Sequence, residues 1–235
     1  MNVFVTGAGR DIGLGINFVK RYLEEGNTVF ATVHNPSEAI KELEKQYPDT
    51  LHVLTVDIAS TESVKKAAEE VAKYVDVIDL LINNAVTASR QSGWKCTEID
   101  PDEIPRVMDV DAVGPLRVIR ALLPMIEKSE AALIVNISSE AGSIGKCFRV
   151  NSLDYAMAKC ALNMMTMTFR NYFNKEVPNV NIICVHPGWM RTRPNSPAPL
   201  DPYEDAEMMR VLFEKLRRDK DGPVFVTNYG EEYPW

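Results

Sequence analysis

Two short patterns in the chain are able to do chemistry. The first is Thr6-Gly7-Ala8-Gly9-Arg10-Asp11-Ile12-Gly13, which follows an apolar run and precedes a helical pattern. Glycines at such a turn let the backbone approach a pyrophosphate at a helix N-terminus. The second is Tyr155 with Lys159, four residues apart and so on one face of a helix. A free phenol, with a pKa near ~10, exchanges protons poorly at neutral pH. A cation beside it favours the phenolate and makes it a usable acid/base. Metal chemistry has no comparable support. His34, His52 and His186 lie far apart, and Cys96, Cys147, Cys160 and Cys184 contain no CxxC pair.

These residues need a scaffold, and the hydrophobic pattern describes one. Strands are expected at Asn2–Thr6, Thr28–Val33, Leu51–Val56, Leu80–Asn83, Leu133–Ser138, Val180–His186 and Val224–Thr227. Helices are expected near Ile12–Glu25, Ser37–Tyr47, Thr61–Tyr74, Pro101–Glu127, Leu153–Asn174 and Tyr203–Arg217. Runs such as VFVT, LLIN and LIVNI are apolar on both faces, as in parallel strands covered by helices. Alternating strand and helix implies a doubly wound α/β sheet. No repeat or linker divides the chain, and the proline-rich stretch 187–202 reads as a functional loop.

Composition narrows the function. The chain has 235 residues, 46% hydrophobic and 25% charged, which suits one globular α/β domain, 1–235. A net charge of −7 makes nucleic acid and anionic membranes poor partners. No apolar run approaches the ~20 residues of a membrane span, and the strand-like opening leaves no room for a leader. Unpaired cysteines fit a reducing compartment, so a cytoplasmic location is expected.

Further motifs fall in a recognisable order. Asn83-Asn84-Ala85-Val86 follows the fourth strand, Ser138-Ser139 the fifth, and Pro187-Gly188 the sixth, with Tyr155-Ala-Met-Ala-Lys159 between the last two. With the glycine turn, this set resembles the short-chain dehydrogenase/reductase family. The ending Gly230–Trp235, with SSEAGSI and HPGWMRT, is similar to its C-factor/sniffer-type carbonyl-reductase-like branch.

The resemblance implies a Rossmann-type sheet of about seven strands, order 3-2-1-4-5-6-7, with helices on both faces. It also implies NAD(P)(H)-dependent interconversion of a carbonyl and an alcohol. Tyr155 would be the general acid/base, Lys159 would favour its phenolate and hold the nicotinamide ribose, and Ser139 would bond the substrate oxygen. Asp111 stands where the family has asparagine. Pro115, four residues on, cannot bond its carbonyl, which stays free to hold a relay water.

The nucleotide contacts implied are Gly7, Arg10, Asp11, Ile12, Gly13, His34, Asp57, Ile58, Asn84, Ala85, Pro187, Gly188, Met190 and Thr192, besides Tyr155 and Lys159. Val33, not an acid, ends the second strand, and Arg10 and His34 stand close by, so NADP(H) is expected over NAD(H). Trp94, Phe148, Trp189 and Tyr203 are the expected apolar substrate contacts. A homodimer or homotetramer is expected.

Three departures matter. Asp11 replaces a glycine; its carboxylate either repels a pyrophosphate, by ~1 kcal/mol if solvated, or turns to solvent at a helix N-terminus. Val86 replaces the glycine of NNAG and stiffens the backbone there. Asp111 adds a charge near Lys159. They support the alternative of a catalytically weak or inactive nucleotide-binding relative, acting as a sensor or interaction protein.

Overall fold

The apolar runs form seven strands in the computed structural model, which describes residues 1–235. In chain order the elements are β1 (Asn2–Val5), α1 (Leu14–Glu24), β2 (Thr28–Val33), α2 (Glu38–Gln46), β3 (Leu51–Thr55), α3 (Thr61–Val71) and β4 (Leu80–Asn83). There follow α4 (Ile104–Met108), α5 (Gly114–Ile126), β5 (Ala132–Ile137), α6 (Leu153–Glu176), β6 (Val180–His186), α7 (Pro202–Leu216) and β7 (Phe225–Thr227). The strands make one parallel sheet, order β3-β2-β1-β4-β5-β6-β7, with Val3 of β1 opposite Val29 and Leu80.

Strand alternation sorts the core onto two faces. Along β2, Val29, Ala31 and Val33 face α1, α2 and α7, joining Phe18, Tyr22 and Phe213. Phe30 faces the other way, toward α3, α5 and α6, with Val118, Leu122 and Phe173. Full burial of one such aromatic is worth roughly 1.5–3 kcal/mol. Because both faces are covered, the inner strands read as largely apolar runs, whereas edge strand β3 is only partly buried.

The helices start where capping residues allow. Ser37 accepts the Ile40 amide at 3.4 Å, Ser60 the Ser63 amide at 3.2 Å, and Asp201 the Tyr203 amide at 2.9 Å, ahead of α2, α3 and α7. The single helix expected over Pro101–Glu127 is instead interrupted. A 3₁₀ turn, Pro101–Glu103, leads into α4, and a π-helical turn, Asp109–Val113, joins α4 to α5. Pro115 explains the break: it has no N–H, and its ring pushes away the carbonyl four residues back. The π turn absorbs that misfit at Asp111. No helix is long and apolar enough to cross a membrane.

Candidate active site

A cleft of about 670 Å³ runs along the C-terminal ends of β1, β2, β4, β5 and β6, a size suited to a cofactor. The glycine turn forms its floor. Gly7 has φ +74°, and a Cβ there would stand 2.6 Å from the Ala85 Cα, so only glycine fits. Behind it, Thr6 Oγ1 accepts the amides of Asn84 at 2.9 Å and Ala85 at 3.0 Å. Asn84 Nδ2 donates to the carbonyls of Thr6 at 2.9 Å and Gly7 at 3.2 Å. These bonds lock the loop after β4 to the turn after β1. Gly13 precedes α1 with no side-chain cap, so the positive helix end is left to an anion. This backbone cradle fits a dinucleotide pyrophosphate.

Asp11 does not point into the cradle. Its Oδ1 accepts the Ala39 amide at 3.2 Å, in the first turn of α2, where the helix dipole favours a carboxylate. The side chains of Asp11 and Ile12 are exposed and lie outside the cleft lining. Arg10, Gly13, His34, Asp57, Ile58, Asn84 and Ala85 do line it. Asn35 joins them, bonded to His34 at 3.1 Å, and no carboxylate stands at the end of β2. Val86 lines the cleft without a left-handed backbone, so this position does not require glycine.

At the other end stand Tyr155, Lys159, Pro187, Gly188, Met190 and Thr192. Lys159 is buried on α6. Its Nζ donates to the Ile137 carbonyl at 2.9 Å and lies 5.6 Å from the Tyr155 ring centroid. The turn that presents Tyr155 is strained: Ser152 has φ +55°. It is held by the Gly93 amide on Ser152 Oγ at 3.2 Å, and by buried Asp154, which accepts Ser89 Oγ and the Tyr155 amide.

The serine expected at the substrate, Ser139, stands just behind this end, and the cleft wall includes its neighbour Ser138 instead. The Ser138 hydroxyl is committed to Asn163 Oδ1 at 2.6 Å. Ser139 Oγ accepts the Ala141 amide at 3.1 Å and donates to Glu140 Oε2. Glu140 Oε1 receives the Arg149 guanidinium. Burial holds the His186 imidazole below its usual pKa, and His186 Nδ1 accepts the Glu140 amide at 3.2 Å.

Asp111 also stands off the cleft wall. It is fully buried; Oδ1 accepts the Thr87 amide at 2.8 Å, and Oδ2 has no partner. Burial raises its carboxyl above the usual range, against the opposing pull of Lys159, the Thr87 amide and Arg106.

The expected substrate aromatics lie outside the cleft. Trp94 and Phe148 are exposed on two loops stitched together by a Lys95–Asn151 bridge and a Cys96 thiol contact with the Val150 carbonyl at 3.3 Å. Trp189 is 63% exposed beside Met190. Tyr203 is remote: its ring stacks on Arg21 at 3.5 Å and its hydroxyl donates to Glu24 at 2.9 Å, in the last turn of α1. That turn lies at the opposite end of α1 from the glycine loop, so Tyr203 holds α7 to α1. Sequence reasoning missed Thr87, Ala88 and Val110 of the cleft, and it missed Glu140. An acid directly after Ser139 was the only available signal for Glu140.

This sheet, its glycine turn and its Tyr–Lys face define a dinucleotide-binding oxidoreductase. The short chain dehydrogenase family profile matches residues 1–201, and the chain belongs to that family. It is 30% identical to the short-chain dehydrogenase RED3 of Pyricularia oryzae, covering 99% of this chain and 98% of that one. It is also 30% identical to C-signal of Myxococcus xanthus, over 67% of this chain and 93% of the other. NADPH-bound carbonyl reductase from chicken fatty liver superposes with a TM-score of 0.85 at 26% identity, covering 100% and 98% of the two chains.

Proposed function

We propose that the protein is an NADP(H)-preferring enzyme interconverting a small carbonyl compound and its alcohol, with Tyr155 as general acid/base. The observation that carries this reading is Tyr155 and buried Lys159 on one face of α6, at the cleft end opposite Arg10. When bound, the nicotinamide supplies or accepts the hydride. Gly7, Gly13, Asn84 and Ala85 would hold the pyrophosphate and adenosine ribose, with Asp57 and Ile58 beside the adenine. Pro187, Gly188, Met190 and Thr192 would hold the nicotinamide. Tyr155 would give its proton to the carbonyl oxygen as it gains charge, and take it back in oxidation. Lys159 would balance the phenolate and bind the nicotinamide ribose.

The preference for NADP(H) is supported by Arg10 of the glycine turn with His34 and Asn35 just past the end of β2, where no acid repels a 2′-phosphate. The NADPH bound in the chicken enzyme agrees with it. Asp11, turned to α2, removes one objection to nucleotide binding.

Two measurements test the proposal. Fluorescence titration should show NADPH binding more tightly than NADH, with Arg10→Ala narrowing the gap. Tyr155→Phe should lose turnover and keep NADPH binding. A second reading, a catalytically weak nucleotide-binding relative, draws on Ser139 being bonded to Glu140. Robust Tyr155-dependent turnover would exclude it.

Self-association belongs to the same proposal. Met157 and Met164 are exposed along α6, and a homodimer or homotetramer should appear by light scattering at micromolar concentration. The four unpaired cysteines fit a cytoplasmic location.

A further inference from the structure

The acid after Ser139 has no part in the chemistry so far. We propose that Glu140, held by Arg149, is a positioning residue that takes the Ser139 hydroxyl hydrogen bond, so that Ser139 has no proton free for a substrate oxygen in the adjoining cleft. The consequence for turnover rests on the oxidoreductase reading above; the contact itself does not.

The polarity follows from counting donors. A serine hydroxyl has one proton and two lone pairs. The Ala141 amide occupies one lone pair at 3.1 Å, and Glu140 Oε2 faces the proton. An ionised carboxylate only accepts, so the hydrogen bond runs from serine to glutamate.

The surroundings keep Glu140 ionised. Burial alone would raise its pKa, but the Ser139 and Arg149 hydrogen bonds and the Arg149 charge outweigh it and leave it lowered. The charged or titratable groups facing it are Arg149 from the loop before α6, His186 at the end of β6 and Tyr233 from the chain's last segment. Arg149 grips Oε1 through Nε at 3.0 Å and through Nη2, and its guanidinium lies 5.9 Å from the Tyr155 ring centroid. Neutral pH therefore does not release Ser139; only movement of Glu140 or its loop does.

A carbonyl oxygen gaining negative charge is stabilised by donors aimed at it, and one such donor is typically worth ~100-fold or more in kcat. Here Tyr155 can donate and Ser139 is engaged elsewhere. Glu140→Met should free the serine and raise kcat for NADPH-dependent reduction of 4-nitrobenzaldehyde by at least ~10-fold. That gain should vanish in a Ser139→Ala background. Glu140→Gln keeps a carbonyl acceptor and should stay near wild type.

Carbon-13 NMR titration of the Glu140 carboxyl supplies a readout independent of turnover. Ser139→Ala and Arg149→Met should each raise its pKa. A gain that persists without Ser139, a loss in kcat in both backgrounds, or a Glu140 titration indifferent to Ser139 would each overturn the proposal. If no variant turns over the aldehyde, the oxidoreductase reading fails, and the titration still decides the contact.

Discussion

Replacing Asp111 with asparagine should stabilise the protein, and by an amount that depends on pH. Asp111 is fully buried, and only one of its carboxylate oxygens has a hydrogen bond. Lys159 and Arg106 favour the charged form while Asp154 opposes it, and burial outweighs the favourable partners, so the folded-state pKa lies above the ordinary 3.8. The folded chain therefore keeps a proton that the unfolded chain releases. Wild-type stability falls as pH rises from the unfolded pKa through the folded one.

Asparagine has no such titration, and its Oδ1 can still accept the Thr87 amide. Below pH ~3.8 the two proteins should be nearly equal. Above the folded pKa the variant should be the more stable, by ~1.4 kcal/mol for each unit by which burial raises the Asp111 carboxyl. Each ~1.4 kcal/mol is a Tm higher by roughly 3–6 °C for a chain of this length. Thermal unfolding by circular dichroism from pH 3.5 to 8 measures the gap. A variant less stable at pH 7, or a gap that ignores pH, would refute the reasoning.

Three other outcomes follow from the geometry. Gly7→Ala forces a left-handed alanine, ~1–2 kcal/mol, and a 2.6 Å contact with Ala85, a further ~1–3 kcal/mol; urea unfolding should show a loss of ~2–5 kcal/mol, together with weaker NADPH binding. A thiol reagent should label exposed Cys96 and Cys147 fast and Cys160 slowly. Burial pushes Cys184 up to about 12, so it should react only on unfolding; fast labelling of Cys184 by mass spectrometry would contradict its placement. Tyr203→Ala should leave KM for nucleotide and carbonyl unchanged and cost at most ~1 kcal/mol of stability, because it removes only a surface contact between α7 and α1.

Much of this protein is decided by local sequence. The inner parallel strands are covered on both faces, so LLIN and LIVNI are apolar except for Asn83 and Asn136, which bond each other across the sheet, and are visible as strands. The glycine turn and the Tyr155–Lys159 spacing are equally local, since each depends on one turn or one helix face. Strand ends fell within about a residue of expectation for the same reason.

Other features depend on which distant loop closes onto which residue. The Asp11 carboxylate turns away because the Ala39 amide, 28 residues on, lies within its reach. Tyr203 leaves the site because α7 packs on α1. Glu140 gains its role from Arg149 at the far side of a loop, and Asp111 its burial from a π turn packed against α6. Hydrophobic periodicity and motif order report what a residue does along its own element. The direction of a polar side chain is set by the donors and charges brought beside it from elsewhere in the chain, and only the folded structure assembles them.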